Sequence, residues 1–373
     1  MVMLYQPPIP AEYSRLSEPE LADRIIAHKK TFGDRLVILG HHYQQDDIIR
    51  FADLTGDSLK LSQLAAEQKN AEFVVFCGVH FMAESADVLT DDNVAVLLPD
   101  LSAGCSMADM ATLDQLEEAW ARIANLADAK VIPITYVNSA ASIKGFCGQH
   151  DGACCTSSNA RQILEYALSR GEKVIFLPDQ HLGRNTAYAM GYPLETMVVY
   201  DPATENGGLT DEQLREAKFI LWNGYCSVHQ LFTEQQCDEV RQSDPLCKII
   251  VHPECKWEVV QKADQAGSTE RIVKVLDEAP EGSHWAVGTE INLVNRMANQ
   301  YTGRKLVQSL AGLQCLCTTM YRIDPAHLAW CLDELAAGRV VNRIMVDPET
   351  KKNARIALRR MLDHVQSKPV ATK

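Results

Sequence analysis

The sequence predicts an α/β protein that contains three small parallel sheets. Short apolar runs of strand length alternate along the chain with longer segments of helical period, which is typical of parallel sheets covered by helices on both faces. The runs group in threes, and the last run of each group leads into a cysteine, namely Cys105, Cys226 or Cys317. We therefore predict three homologous three-layer (αβα) domains with short parallel sheets, related by a pseudo-threefold axis around a central cavity.

Length and composition agree with several domains in a reducing compartment. A chain of 373 residues exceeds the size at which one core stops growing. No apolar run approaches the ~18 residues that a membrane-spanning helix needs, and the first residues lack the pattern of a secretory signal. We expect a cytoplasmic location, where the twelve cysteines serve as ligands, catalytic groups or buried thiols rather than as disulfides.

The net charge of -13 argues against nucleic acid or an anionic membrane as a partner, because both attract proteins with a basic surface. A small phosphorylated substrate remains compatible with this charge. The backbone amides at helix N-termini bind phosphate without any net positive charge.

The elements follow in a regular order along the chain. A capping box formed by Ser17 and Glu20 predicts a helix at the start. The predicted segments are this lead-in helix at 1–33 and α/β domains at 34–127, 128–244 and 245–373, the last with C-terminal helices. The predicted strands are 35–43, 72–79 and 94–101, then 131–137, 173–179 and 218–225, and then 248–254, 284–290 and a weaker one within 306–317.

Polar residues recur at equivalent places in the three domains. The first strand of each domain ends in polar side chains, and a serine then precedes the next helix. The residues are His41, Tyr43 and Ser58; Tyr136, Asn138 and Ser157; and His252, Glu254 and Ser268. Such serines cap helices, and the amides beside them bind anions. Their threefold recurrence favours substrate binding over capping alone.

The three recurring cysteines predict a metal centre. Three thiolates suit a 4Fe-4S cluster with one open iron that acts as a Lewis acid. Structural zinc usually needs four ligands in C-x-x-C pairs, which are absent here, although a catalytic zinc site with two cysteines and a histidine remains an alternative. We interpret four other cysteines as buried and inert, namely Cys77, Cys237, Cys247 and Cys331.

Proton-transfer groups lie beside the predicted centre. His229 follows Cys226 by three residues, and we favour a functional role for it. His252 and Glu254 are two residues apart, so in extended geometry both point the same way as an acid/base pair. By the same spacing His41 faces the same side as Tyr43, and Tyr136 the same side as Asn138.

These residues lie in motifs that resemble the quinolinate synthase family. The motifs occur in order from about Leu36 to about Tyr321 and are HHYQ (41–44), GDSL (56–59), FMAES (81–85), TYVNSAASIK (135–144), CTSSNA (155–160), LPDQHLGRN (177–185), WNGYCSVH (222–229), HPEC (252–255), AGST (266–269) and GTE (288–290). Each motif is weak alone, and their order makes the resemblance specific.

The resemblance implies a fold, a reaction and a set of site residues. It implies three αβα domains around a 4Fe-4S cluster and the condensation of iminoaspartate with dihydroxyacetone phosphate to quinolinate, phosphate and water in NAD biosynthesis. It suggests functional contact with L-aspartate oxidase, which produces iminoaspartate. The implied cluster ligands are Cys105, Cys226 and Cys317, the catalytic residues are Tyr43, His229, His252 and Glu254, and the substrate-binding residues are His41, Ser58, Tyr136, Asn138, Ser157, His229, His252, Glu254 and Ser268.

The third ligand position has two candidate cysteines. Relatives commonly have C-P-x-M at the third cysteine, whereas this chain has Cys317-Thr-Thr-Met320 and an additional Cys315, so Cys315 is the alternative ligand. The glycine-rich segment 145–155 is either a mobile loop over the site or a connector, and its Cys147, Cys154 and Cys155 have no assigned role.

The rival functions are another three-cysteine cluster enzyme, such as an isoprenoid diphosphate reductase or a radical-type transferase, and a non-catalytic iron-sulfur sensor. A sensor needs a partner surface or a nucleic-acid module, and the sequence contains no basic stretch or helix-turn-helix pattern. The polar groups at the strand ends favour catalysis over sensing.

Overall fold

The structure is a computed structural model that describes residues 5–68, 70–126, 129–312 and 315–366. The predicted boundary between the first two domains falls on Ala127 and Asp128, which lie outside the described residues, as do Leu313 and Gln314 in the weak strand region. The division into domains at 34, 128 and 245 stays a prediction.

The predicted α/β class is confirmed. The strands are β1 Leu36–His41, β2 Leu54–Gly56, β3 Phe73–Cys77, β4 Ala95–Leu97, β5 Val131–Tyr136, β6 Ala153–Cys155, β7 Lys173–Leu177, β8 Met197–Tyr200, β9 Phe219–Trp222, β10 Lys248–Val251, β11 Gln265–Ala266, β12 His284–Gly288, β13 Leu306–Ser309 and β14 Arg343–Ile344. All predicted strands are present, as β1, β3, β4, β5, β7, β9, β10, β12 and β13.

Helices follow most strands, as expected of parallel sheets. They are α1 Glu18–Phe32, α2 Asp46–Ile49, α3 Ser58–Glu67, α4 His80–Leu89, α5 Leu113–Leu126, α6 Ala141–Gln149, α7 Ala160–Arg170, α8 Gln180–Ala189, α9 Asp211–Glu216, α10 Glu234–Ser243, α11 Trp257–Lys262, α12 Thr269–Glu278, α13 Ile291–Gln300, α14 Pro325–Ala336 and α15 Pro348–Gln366. The capping box before α1 is confirmed, and so are the C-terminal helices, α14 and α15. Within the described residues, no helix has the length and apolarity to cross a membrane.

The three sheets share one strand order. The first sheet runs β2-β1-β3-β4, the second β6-β5-β7-β9 and the third β11-β10-β12-β13, and all of these pairs are parallel. The first sheet adds antiparallel β14 beyond β4, and the second adds parallel β8 beyond β9. The repeated order supports an internal repeat, while the pseudo-threefold axis stays a prediction.

The same side-chain contact occurs within the first sheet and within the third sheet. Asp53 lies just before β2, and its carboxylate accepts a hydrogen bond from the amide of Ile38 at 2.8 Å. Asp264 lies just before β11 and accepts from the amide of Ile249 at 2.7 Å. In both sheets the amide of the aspartate also donates back to the carbonyl of the same isoleucine. The carboxylate thus pairs with the backbone where the short edge strand begins.

The described chain forms two compact units. The first comprises residues up to Cys105, 290–296 and 316–346, and the second comprises 106–289, 297–315 and the residues from Asp347 on. The first unit contains the first sheet, and α1 packs there against α14. The second unit contains the other two sheets, and α15 packs there against α6 and β6.

The prediction for segment 145–155 was wrong. It is neither a mobile loop nor a connector, because residues 145–149 end α6 and residues 153–155 form β6. Gly148 and Gly152 serve close packing rather than flexibility. A Cβ built on Gly148 would lie 2.0 Å from the carbonyl oxygen of Asn353 in α15. Cys147, Cys154 and Cys155 are fully buried there, and burial raises the pKa of Cys154 to about 12.

Two glycines of α6 test this packing. We expect Gly148→Ala to lower the free energy of unfolding by more than about 1 kcal/mol, because α15 must move away from the new methyl group. Gly145→Ala is the matched control. Its Cβ would meet its nearest neighbour, the Thr350 carbonyl oxygen, at 3.5 Å, which is an ordinary contact. Since alanine favours helix by up to about 1 kcal/mol over glycine, Gly145→Ala should keep or raise stability. Thermal and urea unfolding measure both, and equal effects would contradict the packing account.

Candidate active site

A buried carboxylate lies beside two histidine rings in the second unit. Oε2 of Glu254 is 3.0 Å from Nδ1 of His252 and 3.1 Å from Nδ1 of His229. The two rings stack, with centroids 4.5 Å apart and an interplanar angle of 20°. All three side chains are at most 3% exposed. The three side chains are therefore shielded from water and close enough to exchange protons with one another, as acid/base chemistry requires.

The electrostatics of the cluster keep the carboxyl group ionised. Burial by itself would raise the pKa of Glu254, but His252 first and His229 second outweigh it and hold that pKa well below its ordinary range. Burial, with His252 beside it, lowers the pKa of His229. Oε1 of Glu254 is buried and accepts no hydrogen bond within the described residues. This oxygen can accept a proton or a hydrogen bond from a bound molecule.

The pairing of His252 with Glu254 arises from a turn rather than from a strand. The strand β10 ends at Val251, and the amide of Cys255 donates to the carbonyl of His252 at 3.0 Å. The expectation of extended geometry was wrong, because the chain turns at Pro253. The turn itself brings the two side chains into contact, so the predicted proximity is observed for a different reason.

The outer faces of both rings are also held. Nε2 of His229 lies 3.2 Å from Oγ1 of Thr289, and Nε2 of His252 lies 3.2 Å from Oγ of Ser157. Nε2 of each ring thus has a hydroxyl partner. Nδ1 of His252 also accepts from the amide of Glu254 at 3.4 Å, whereas Nδ1 of His229 has no hydrogen-bond partner within the described residues and meets Glu254 at ion-pair distance. Ser157 precedes α7, whose N-cap is Asn159, so Ser157 contacts the histidine instead of capping the helix.

Cys226 joins this cluster. Its sulfur, a ring nitrogen of His229 and a carboxylate oxygen of Glu254 all lie within 4.8 Å of one another, a group that could hold a metal ion. Cys226 follows β9 and is half-buried, whereas His229 and Glu254 are buried. The structure thus brings together Cys226, His229, His252, Glu254 and Ser157.

Asn185 of α8 fixes the turn that carries Glu254. Its Nδ2 donates to the carbonyls of Pro253 and Cys255, both at 2.8 Å, and these residues flank Glu254. The Oδ1 of Asn185 is buried and accepts no hydrogen bond within the described chain. One amide group therefore anchors the backbone on both sides of Glu254.

A second buried carboxyl group starts the same helix. Oδ1 of Asp179 caps α8 by accepting from the amides of His181 and Leu182. Burial first, and then the charge of Glu254, raise the pKa of Asp179 well above its ordinary range. The pKa values of the two carboxyl groups are therefore shifted in opposite directions, a pattern found in acid/base sites.

The remaining predicted residues of this unit lie at strand and helix ends. Tyr136 is the buried last residue of β5, and Asn138 follows it with a buried Oδ1. Ser268 caps α12 by accepting from the amide of Arg271 at 3.3 Å, so capping is confirmed there.

In the first unit, His41 ends β1 and is buried. Burial lowers the pKa of His41 to about 3, so its ring is neutral at neutral pH. Its Nδ1 accepts from the amide of Tyr43 at 3.1 Å, and the two rings meet edge to face at 4.9 Å. The predicted proximity is observed, but here too a turn produces it rather than extended geometry, because the amide of Gln44 donates to the carbonyl of His41 at 2.9 Å. Ser58 begins α3, but Asp57 caps that helix by accepting from the amide of Lys60. Capping by Ser58 was therefore a wrong expectation, because the preceding carboxylate takes that position.

The twelve cysteines divide by exposure, and all of them lie in the described part of the chain. Three are half-buried and nine are buried. The half-buried ones are Cys105, Cys226 and Cys317. No disulfide links any of the twelve, as expected, and the burial predicted for Cys77, Cys237, Cys247 and Cys331 is confirmed.

Sequence reasoning missed the residues that support the cluster, although the motifs contained them. Thr289 lies in the GTE motif, and Asp179 and Asn185 lie in the LPDQHLGRN motif. Each follows the end of a central strand, β12 or β7, where α/β sheets place functional groups. Their position after a strand end is the sequence signal that could have identified these residues.

Comparison with known proteins places the chain in a family. Residues 23–363 match the family model described as quinolinate synthetase A protein. The chain belongs to this family. It is 56% identical over 355 residues to the quinolinate synthase of Acidobacterium capsulatum, which covers 94% of this chain and 95% of the relative. It is 53% identical to the quinolinate synthases of Anoxybacillus flavithermus and Streptomyces coelicolor. Each match covers 95% of this chain, together with 96% of the Anoxybacillus protein and 90% of the Streptomyces protein. The predicted resemblance is confirmed, and the chain is an enzyme.

Asn185 provides a test of how the turn that carries Glu254 is held. We expect Asn185→Asp to destabilise the protein more than Asn185→Ala, although aspartate is closer in shape. Aspartate replaces the donor Nδ2 by an anionic oxygen that faces the carbonyls of Pro253 and Cys255, whereas alanine removes both the donor and the buried Oδ1. We expect Asn185→Ala to cost roughly 1 to 3 kcal/mol. Urea unfolding measures both variants, and the reverse order would contradict the assigned hydrogen bonds.

Proposed function

We propose that this enzyme condenses iminoaspartate with dihydroxyacetone phosphate to give quinolinate, phosphate and water, as a step of NAD biosynthesis. The observation that carries the proposal is the buried carboxylate of Glu254, ionised between His229 and His252 beside Cys226. Membership of the quinolinate synthetase A family supports the product. Iminoaspartate is the product of an aspartate oxidase, so L-aspartate oxidase is the proposed supplier, and both enzymes are proposed to be cytoplasmic.

The proposed cofactor is a 4Fe-4S cluster held by Cys105, Cys226 and Cys317. The residues fit the group, because these three thiols are the half-buried ones among twelve and therefore the ones that a ligand can reach. Thiolates are the usual ligands of cluster iron. When bound, such a cluster supplies an open iron that acts as a Lewis acid toward an oxygen of the substrate. The condensation has no net oxidation, so no electron acceptor is consumed.

The exposure of the thiols favours Cys317 over Cys315 as the third ligand. Cys315 is fully buried, and its sulfur lies 4.0 Å from Oγ of Ser309. Cys317 is half-buried, and its amide donates to Oε1 of Glu290 at 3.4 Å. Met320 follows Cys317 at the same sequence spacing as the methionine of the C-P-x-M motif in relatives, which agrees with this assignment.

The chain's own groups move the protons of the reaction. Glu254 acts as general base together with the two rings beside it, because its Oε1 is unoccupied by other donors of the described chain and the rings can take the proton on. His252 and His229 share its proton and take part in the eliminations of phosphate and water. Tyr43, next to the neutral His41, is the proposed second proton-transfer group. Ser157 forms a hydrogen bond with the ring of His252, and this bond couples substrate binding at Ser157 to that ring.

Substrate binding falls to strand and helix ends. The phosphate and carboxylate groups of the substrates are anions, and backbone amides at helix starts bind anions without net positive charge. Residues proposed for this role are His41, Ser58, Tyr136, Asn138, Ser157 and Ser268, together with His229, His252 and Glu254. This mode of binding agrees with a net charge of -13.

Metal analysis of cysteine variants tests the cofactor. After anaerobic purification we expect ~4 iron and ~4 sulfide per chain. The Cys105→Ala, Cys226→Ala and Cys317→Ala variants should each lose most of both. The controls Cys315→Ala and Cys331→Ala should retain them. Zinc without sulfide in the wild type would overturn the cluster, and would favour a metal ion held by Cys226, His229 and Glu254.

A charge-removing substitution tests the general base. Glu254→Gln keeps the shape of the side chain but cannot take a proton, so we expect kcat to fall by roughly 10² to 10⁴ while iron and sulfide remain loaded. Glu258→Gln is the matched control, because Glu258 is exposed on α11 of the same segment. Wild-type turnover by a loaded Glu254→Gln enzyme would remove Glu254 from the mechanism.

A further inference from the structure

The loop that carries Tyr43 in the first unit is held by side chains from one face of α13. Arg296 donates from Nε to Oδ1 of Asp46 at 2.7 Å, from one terminal nitrogen to the carbonyl of His42 at 2.9 Å, and from the other to the carbonyl of Gln44 at 2.6 Å. One guanidinium therefore binds the backbone on both sides of Tyr43. The remaining hydrogen bond, from Nε to the carboxylate of Asp46 at the start of α2, sets the orientation of the guanidinium.

Asn292 holds the backbone of Tyr43 itself. Its Nδ2 donates to the Tyr43 carbonyl at 3.2 Å. Asn292 precedes Arg296 by four residues, so both side chains extend from the same face of the helix. All three successive carbonyls, of His42, Tyr43 and Gln44, thus accept hydrogen bonds from α13.

The far side of the loop is tied to the segment after Cys317. Nε2 of Gln44 donates to the carbonyl of Met320 at 3.0 Å, and Nε2 of Gln45 donates to the carbonyl of Ile323 at 3.0 Å. The loop is thus bound on two sides, mainly by side chains that contact backbone. Such an arrangement fixes where the loop lies rather than contributing apolar core.

A hydrogen-bonded path also joins Tyr43 to Cys317. Glu290, just before α13, accepts from the Cys317 amide through Oε1 at 3.4 Å. The same Oε1 accepts from Nδ2 of Asn292 at 3.2 Å, and that Nδ2 also contacts the Tyr43 carbonyl. The start of α13 therefore contacts the backbone of Tyr43, a proposed proton-transfer residue, and that of Cys317, a proposed cluster ligand. It fixes the positions of these two backbones relative to each other.

From these contacts we propose that Asn292 and Arg296 are positioning residues that hold Tyr43 for proton transfer. The inference rests on the role proposed above for Tyr43. Arginine suits this task because its planar guanidinium presents donors in fixed directions, whereas a lysine ammonium is a point charge on a flexible stem. Lysine at position 296 keeps the charge near Asp46 but cannot bind both carbonyls in the same geometry.

Kinetics of Arg296→Lys test the proposal. We expect kcat for quinolinate formation to fall about tenfold to a hundredfold, because a displacement of about 1 Å in a reacting group has effects of that size. The KM values should change much less than kcat, and iron and sulfide should stay at wild-type levels. Arg304→Lys is the matched control. Arg304 is exposed, pairs with Glu281, and should tolerate lysine without a change in kcat.

A double-mutant cycle separates positioning from general stability. In a Tyr43→Phe background, Arg296→Lys should lower kcat by less than about twofold, because the group that it positions is already gone. An equal loss of kcat in both backgrounds would overturn the proposal, and so would wild-type kcat for Arg296→Lys. A fully active Tyr43→Phe enzyme would instead show that the proposed role of Tyr43 fails, and the positioning role with it.

Hydrogen exchange tests the hold on the loop without an activity assay. The amides of His42 and Gln44 donate to the carbonyls of Gly56 and His41. In Arg296→Lys, a peptide that covers residues 42–47 should take up deuterium faster than in the wild type, and Arg304→Lys should not change it. Unchanged uptake in Arg296→Lys would overturn the proposal. If Arg296→Lys does not fold, Asn292→Ala removes one bond to Tyr43 and should give the same direction of change in uptake and kcat.

Discussion

The burial of one negative charge constrains the rest of the site. An ionised carboxylate at 3% exposure is unfavourable unless hydrogen-bonding or charged groups compensate for its lost hydration. The structure compensates Glu254 with two imidazoles, and each imidazole is held in turn at its other nitrogen by Thr289 or Ser157. The turn that carries the carboxylate is anchored by Asn185. The second and third sheets therefore both contribute to keeping a single oxygen available.

The sequence predicted the central strands and missed most of the edge strands, for a physical reason. Central strands of parallel sheets are buried on both faces, so β1, β5 and β10 are continuous apolar runs. The edge strands β2 and β11 span two or three residues and leave no periodic pattern. The structure holds them through the carboxylates of Asp53 and Asp264, and a single aspartate before a strand is not a recognisable signal in one sequence.

The sequence predicted contacts between side chains that are neighbours in the chain, and it did not predict contacts of side chains with distant backbone. The spacing of His252 and Glu254 predicted their contact, although a turn brings them together. Asn185, Asn292 and Arg296 act on carbonyl groups far away in the chain, and every residue has a carbonyl, so no side-chain pattern identifies such acceptors. The glycines of segment 145–155 misled for the opposite reason, because glycine serves tight helix packing as well as mobility.

The docking of α15 has a consequence for how the protein is made. This helix covers α6 and β6, yet it ends the described chain, and the unit that it completes begins at Ser106. A ribosome produces the chain from the N-terminus, so α6 and the edge of the second sheet emerge long before their cover is synthesised. The packing of the second unit around α6 and β6 is therefore complete only after α15 itself has been synthesised.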